Sequence, residues 1–465
     1  MWRLRNRPCK LTEVTYPAHN PIRTNCLADP APGTPISAVA PTPEVPPPAI
    51  LFGSKALHRM LAAFTYRDFR VQWFGACTSS IGTWTQLSAQ NWMILSLTGS
   101  AFYLGFDTFL QQIPIVLFTL IGGVMADRYD RRRTLLTSQY IQMATAATLA
   151  LLVYTDTVQI THILLLSFVT GSAQAFGGPA YQALIPSLVD RKDLPNAVAL
   201  NSIQFNIARV IGPLVFAATF GAAGWLGISD QQAMGLCFVL NAVSFLVVIY
   251  ALMALHVTHT PSTTKTGIAD DLRIGLSYVR AHRTLTSLIV LAAMTTFLGF
   301  AVLTFLPLFA QDVFEAGAST YGQLLAFSGA GSVVGALVVA WLGRFPRMGL
   351  TALLVQALYG LLIVAFAVTR VMWVSELLLF LLGAALMVVF ATVTSLVQLI
   401  APNEMRGRVM SIYLLAFRGG MPLGGLASGY LATFLSASTV LIINGALLAA
   451  SAIYFLTLKG GVREI

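Results

Sequence analysis

The sequence predicts an all-α membrane protein, twelve transmembrane helices arranged as two pseudo-symmetric six-helix bundles. Three observations predict it: recurring apolar runs of membrane-spanning length, a one-sided distribution of basic residues, and an echo of the first half in the second. Of the 465 residues, 56% are hydrophobic and only 10% charged, where a soluble domain carries about 25%. Most of the chain is therefore not facing water. A helix needs about 20 apolar residues to cross roughly 30 Å of hydrocarbon, and runs of that order recur from residue 69 to residue 457. Helices satisfy their own backbone hydrogen bonds in lipid, which excludes an open sheet. The runs are continuous rather than short and alternating, which argues against a barrel.

In chain order, the first run (69–95) carries Gln72, Gly75, Ser79, Thr83, Gln86 and Gln90 on one stripe, with Trp84 and Asn91 nearby. Polar residues at helical spacing in a span turn toward the bundle interior, so Trp84, Gln86, Gln90 and Asn91 are the expected cavity wall. The second run (102–125) places Asp107, Gln111 and Pro114 on one helical face, which makes Gln111 a further expected cavity-lining residue. Runs 134–154 and 158–180 follow, then 196–220 with Arg209, and 232–255. Residues 256–283 interleave Asp270, Asp271, Arg273, Arg280 and Arg283 with Leu272, Ile274, Leu276 and Val279, the spacing of a short amphipathic helix at the membrane surface. The remaining runs are 284–309, 321–342, 349–369, 374–399, 409–434 with Arg418, and 436–457.

The formal net charge of +10 is an orientation signal and not a nucleic-acid patch. Of the 28 Lys and Arg, Arg370 alone falls on the side opposite the N-terminus, and Arg209 and Arg418 fall inside spans. All the others precede the first span or lie in loops on its side. That bias predicts both termini in the cytoplasm of a multi-pass inner-membrane protein. Cys9, Cys26, Cys77 and Cys237 show no metal or CxxC spacing and read as free thiols.

The expected organisation is a disordered Pro-rich cytoplasmic tail over 1–60, a six-helix bundle over 61–257, a linker with its amphipathic helix over 258–283, and a second bundle over 284–465. Residues 1–50 hold eleven of the 21 prolines, a composition that cannot build a packed core. They read either as sequence upstream of a true start at Met60, the preferred reading, or as an interaction tail. Arg209-Val-Ile-Gly212-Pro213 in the first half answers Arg418-Gly-Gly420-Met-Pro422 in the second, as a duplicated unit with its site between the copies would.

Gly123-Val-Met-Ala-Asp127-Arg128-Tyr-Asp130-Arg131-Arg132 follows the second run and resembles the signature loop of the major facilitator superfamily. Ile81-Gly-Thr-Trp84, Ala175-Phe-Gly-Gly-Pro179, Met405-Arg-Gly-Arg408 and Phe417-Arg-Gly-Gly-Met-Pro422 resemble one branch of it, the transmembrane secretion effectors that include the enterobactin exporter. The resemblance covers about residues 64–457 and implies the major facilitator fold, a central cavity and alternating access. It further implies that Gly123, Asp127, Arg128 and Arg131 form a conformational latch. There the Asp127 carboxylate would gain about 0.3–1 kcal/mol from the N-terminus of a helix in the other half. The second half has Gly343 where Asp127 stands, so no symmetric latch is expected.

Asp107 is the acid that lies clearly within a span. A buried aspartate there costs about 2.5–3.5 kcal/mol on insertion scales and marks function by default. It reads as a proton-carrying carboxyl or as a hydrated residue near the outer end, and a pairing with Arg418 across the halves would couple its charge to the cycle. Arg209 and Arg418 read as charge-coupling or substrate groups, the alternative being structural capping of carbonyls freed by proline. Gly212, Pro213, Gly420 and Pro422 would let their helices pack closely or flex.

The function expected is secondary active, proton-coupled export of a small amphipathic molecule, siderophore-like or another metabolite. The alternatives are a broad-specificity multidrug efflux pump and, from another class, a membrane-embedded sensor or lipid-processing enzyme. No phosphate-cradling loop, HExxH, GxSxG or His/Cys cluster is present, so the expected partners are substrate, protons and lipid. No enzyme activity, cofactor, metal, ATP or nucleic acid is expected.

Overall fold

The computed structural model describes residues 61–256, 268–458 and 461–464, so the Pro-rich stretch 1–60 lies outside the described residues. A short 3-10 turn, Ala62–Thr65, leads into α1 (Arg67–Thr98), α2 (Ala101–Arg128), α3 (Arg131–Tyr154), α4 (Ile160–Leu184), α5 (Leu194–Leu226) and α6 (Asp230–Met253). After the linker come α7 (Ile268–Ala281), α8 (Arg283–Gly299) and α9 (Ala301–Leu308), the last continued by a π-turn over Phe309–Val313. The chain ends in α10 (Ala318–Leu342), α11 (Met348–Val368), α12 (Met372–Ile400), α13 (Arg406–Leu431) and α14 (Ala437–Thr457). No strand occurs among the described residues.

Eleven spans among the described residues are long and apolar enough to cross a membrane, with α8, α9 and the π-turn forming one of them, Arg283–Val313. The twelfth long helix, α1, has 32 residues but too many polar ones. It tolerates them because Thr83, Thr85, Ser88, Ser96 and Thr98 return their hydroxyls to the carbonyl four residues back. Of its amides, Gln86, Gln90 and Asn91 find side-chain partners, while Gln72 is buried with none among the described residues. Local signals set the ends. Gly99 (φ 58°) and Gly227 (φ 67°) close α1 and α5 in the left-handed region, which glycine enters without a Cβ penalty. Asp130 and Ser229 accept from the backbone N–H three residues on and start α3 and α6.

Helices α1–α6 pack among themselves, as do α8–α14, and the two sets meet along α2–α13 and α5–α10. Adjacent spans alternate in direction, so one end of the bundle holds the start of α1 and the basic loops. It is called the basic end below, and the opposite one the far end. At the far end a single apolar core takes residues from both sets: Trp92, Leu104, Phe216 and Phe238 with Phe305, Phe309, Tyr321 and Phe366. At the basic end the cores are separate. Phe69, Leu184, Leu200 and Phe245 belong to one, and Leu288, Leu353, Val397 and Tyr413 to the other. The halves therefore share one core at the far end and keep separate cores toward the basic end.

The expected amphipathic helix is α7. Its Leu272, Tyr278 and Val279 join the core of the second set, Gly275 lies against Arg408 and Ile412 of α13, and Arg273 and Arg280 stay exposed. The side chains of Asp270 and Asp271 lie outside the described residues.

Candidate functional site

The space between the halves ends at the far side in a seal built from small residues and aromatic rings. A Cβ at Gly105 of α2 would strike the Gly425 carbonyl of α13, and one at Gly429 would crowd Ala101, Phe102 and Gly105. Gly322 of α10 likewise lies on the Pro213 carbonyl and Ala217 of α5, and Gly329 on the Arg209 carbonyl. Absence of side chains lets the backbones approach closely, which is how helices associate where no hydrophobic force separates protein from lipid. Over these contacts Tyr321 stacks on Trp92 (6.1 Å) and meets Phe216 edge-on (5.8 Å). The Asn91 amide donates to the Tyr321 hydroxyl at 3.3 Å, a hydrogen bond between the halves.

Arg209 lies just inside this seal. Its guanidinium carbon sits 5.9 Å from the ring centre of Trp84, within cation–π range. Tyr359 of α11 donates its hydroxyl to the Gly299 carbonyl at 3.2 Å. Among the described residues Arg209 takes part in no ion pair; the pairs there include Arg67–Asp68 and Lys192–Asp190, both at the basic end. Gly212, a turn further on, allows Trp84 Cβ and the backbone of Ile81 and Thr85 to press against α5. In the second set Gly420 lies against Thr296 and Ala293 of α8 in the same manner, and Pro422 is buried. Arg418, by contrast, is exposed.

Asp107 departs from the hydrated placement that is one reading of its sequence position. It is 1% exposed, because α1 and α4 close over it inside the first set. The Ser167 hydroxyl donates to its Oδ1 at 2.5 Å, and Gln90 Nε2 donates to its Oδ2 at 2.9 Å and to Ser167 Oγ at 2.8 Å. The expected pairing with Arg418 is absent here for a geometric reason. Gly105 and Thr108 occupy the face of α2 that meets α13, while Asp107 turns inward to α1 and α4.

The polar stripe of α1 divides. Trp84 and Asn91 belong to the space and seal between the halves. Gln86 and Gln90 point into the first set, where Gln86 accepts from Asn241 Nδ2 at 2.7 Å, and with Gln111 they line a small internal cavity. In the signature loop, Arg131 donates to the Ala183 carbonyl at 3.0 Å and Arg132 to the Leu252 and Met253 carbonyls, tying α3 to the ends of α4 and α6. A Cβ at Gly123 would meet nothing within 4 Å. The side chains of Asp127 and Arg128 lie outside the described residues, and so does the latch contact. Sequence reasoning missed Ser167, Tyr321, Gly105, Gly322 and Gly329. The small-residue spacing Gly425-x-x-x-Gly429 signals the α2–α13 contact; a lone serine in an apolar run signals nothing.

The family described as transmembrane secretion effector matches residues 59–464. The staphyloferrin A transporter of Staphylococcus aureus is 27% identical over 74% of this chain and 85% of its own length. Macrolide efflux protein A of Streptococcus pyogenes is 22% identical over 83% of this chain and 94% of its own. Among solved structures, a D-xylose-proton symporter superposes with a TM-score of 0.64 at 15% identity, covering 89% of this chain and 100% of that one.

Proposed function

The chain belongs to the transmembrane secretion effectors of the major facilitator superfamily, and we propose that it is a proton-driven exporter of an anionic, amphipathic, siderophore-like small molecule. It is a multi-pass membrane transporter and not an enzyme. Arg209 carries the reading. A guanidinium held at the closed end of the space between the halves, on an aromatic face and with no carboxylate paired to it, is a site for an anion of the substrate. Each such charge-assisted contact contributes about 1.5–3 kcal/mol. Trp84 supplies the apolar surface beside it.

With the basic end placed in the cytoplasm by the positive-inside rule, the space opens toward the cytoplasm, where an exported molecule is loaded. Closing that end and parting the far seal would release it outside. Asp107 is the proton site of this cycle, since an enclosed carboxyl with two neutral donors and no cation changes its environment most when a proton comes or goes. ATP has no role. Broad drug efflux is the second reading, supported by the likeness to macrolide efflux protein A.

Energised inside-out vesicles holding the full chain test both. Staphyloferrin A and enterobactin as anionic probes, and cationic drugs as the contrast, are added while substrate uptake and collapse of the pH gradient are followed. Uptake of an anionic probe with proton release, lost in Asp107→Asn, is the expected result. Uptake of many cationic drugs instead would replace the substrate reading, and uptake with no proton movement would remove the coupling.

A further inference from the structure

Inside the first set of helices, away from the space between the halves, lies a cavity of about 20 Å³. Gln86, Gln90, Gln111, Gln142, Thr145 and Thr170 are among its walls, with Leu87 and Phe245 supplying apolar surface, so these polar side chains reach it from four helices although it sits within a membrane bundle. A cavity of 10–15 Å³ on this measure admits a water molecule when two to four polar partners surround it, and this one meets both conditions. It also adjoins Asp107. Gln90 lines the cavity and donates to Asp107, and Ser167, which donates to the other carboxyl oxygen, stands one helical turn before Thr170 on α4. Beyond it the Thr170 and Thr145 hydroxyls lie 3.0 Å apart, and Thr145 donates to the Gln142 carbonyl at 2.8 Å. The Gln142 amide in turn donates to Ser138 Oγ and to Gln174 Oε1, and Gln174 is exposed.

We propose that this cavity holds a relay water linking Asp107, through Ser167, to the Thr170–Thr145 hydroxyl pair, so that protons reach the carboxyl through the interior of the first bundle and not through the substrate space. The proposal rests on the reading of Asp107 as the proton site. A proton leaving the carboxyl passes to Ser167 Oγ as the serine hydroxyl gives its own proton to the water. The water then hands one on to Thr170 Oγ1 as that hydroxyl, part-buried one turn before the exposed Gln174, gives its own proton up to solvent, and the hydroxyls reorient to reset the path. Hydroxyls and water can both accept and donate, which amides and hydrocarbon cannot do in this way.

On the helices packed against α2, Arg131 donates to the Ala183 carbonyl and Arg408 lies against Gly275 of α7, and on α2 itself the side chains of Asp127 and Arg128 lie outside the described residues. Among the described residues, Arg67, Asp68 and Arg70 on α1, Arg132 and Arg133 on α3, His162 on α4, and Arg406 and Arg418 on α13 make neither a hydrogen bond nor an ion pair with Asp107. The tyrosines of those helices, Tyr140, Tyr154, Tyr181, Tyr413 and Tyr430, make none either, nor does its own helix's Tyr103. α9, also packed against α2, carries no titratable side chain. Separate routes allow a carboxyl to be loaded while the substrate space is occupied, which an exchanger that uses one space for both cannot do.

The test needs no substrate. Purified full-length protein in lipid nanodiscs is followed by infrared spectroscopy, and the carbonyl stretch of protonated Asp107 is identified as the band missing in Asp107→Asn. On transfer to deuterated buffer, the double variant Thr145→Val, Thr170→Val is expected to slow exchange of that band at least tenfold. The double variant Thr145→Ser, Thr170→Ser restores the wild-type rate, which a folding defect in the valine variant would not produce in its hydroxyl-bearing counterpart. Wild-type exchange in a folded valine variant overturns the relay and leaves Asp107 as proton site. Absence of any band assignable to Asp107 at any pH overturns the proton-site reading itself, and the relay with it.

Discussion

The two ends of the space between the halves are closed by different physics. At the far end the backbones of α2 and α13, and of α5 and α10, touch through glycines, and a shared aromatic core lies over them. At the basic end each set keeps its own core, and among the described residues a Cβ built on Gly123 meets no neighbouring helix within 4 Å. A seal of close backbone contact is steep in distance: it holds fully or parts. An electrostatic latch of the kind expected at Asp127 acts over a longer range and contributes less per contact. The difference teaches that the two closures can be broken independently.

The largest effect is expected from Gly105→Leu, which drives a side chain into the Gly425 carbonyl. Overpacking of this kind costs about 1–3 kcal/mol, a roughly 5- to 150-fold shift away from the far-closed state. In a background with its four cysteines replaced by serine, Asn91→Cys should then react with an impermeant thiol reagent from the far side, as it does not without the leucine. Unchanged protection would mean that the glycine contacts do not hold the seal.

Next, the two arginines should separate. Arg209→Gln removes a cation enclosed beside the seal and is expected to weaken binding of an anionic substrate at least tenfold by direct binding assay. Arg418→Gln removes an exposed one, worth about 0–1 kcal/mol, and should change binding less than about fivefold. Equal losses would erase the distinction between the enclosed and the open site.

Tyr321→Phe keeps the stack on Trp92 and deletes only the hydrogen bond from Asn91. About 0.5–1.5 kcal/mol is at stake, so reactivity of a cysteine at the seal should rise roughly 2- to 12-fold. The smallest effect belongs to Gly123→Ala. With open space around it, the folded protein's thermal stability should stay within about 0.5 kcal/mol of wild type, and a larger drop would show that the halves pack together at the basic end, where they keep separate cores.

Much of this was legible beforehand, and unevenly. The spans could be read because lipid demands long apolar helices, and α1 could be read in spite of its polar stripe because the charge bias of later loops requires it. The cavity wall was legible only as a stripe. Thr83 to Gln90 cover more than one face of a helix, and nothing in the spacing says which face meets the other half, so Trp84 and Gln86 looked alike and lie in different places. Asp107 could be marked as a membrane acid, but its depth measured along the helix does not report what closes over it. Ser167 and Tyr321 come from runs with no visible irregularity.

By itself, then, the sequence determined the class of fold, its pseudo-symmetry, its expected orientation and the short roster of polar groups that a bilayer would not otherwise tolerate. These follow from one-dimensional quantities, because hydropathy, spacing and loop charge act on each segment separately. Which end is sealed, which glutamine meets which carboxyl, and that Arg418 and Asp107 stand apart instead of paired were decided only by the tertiary structure. They depend on the rotation of each helix about its own axis, and that rotation is set by close packing among several helices at once.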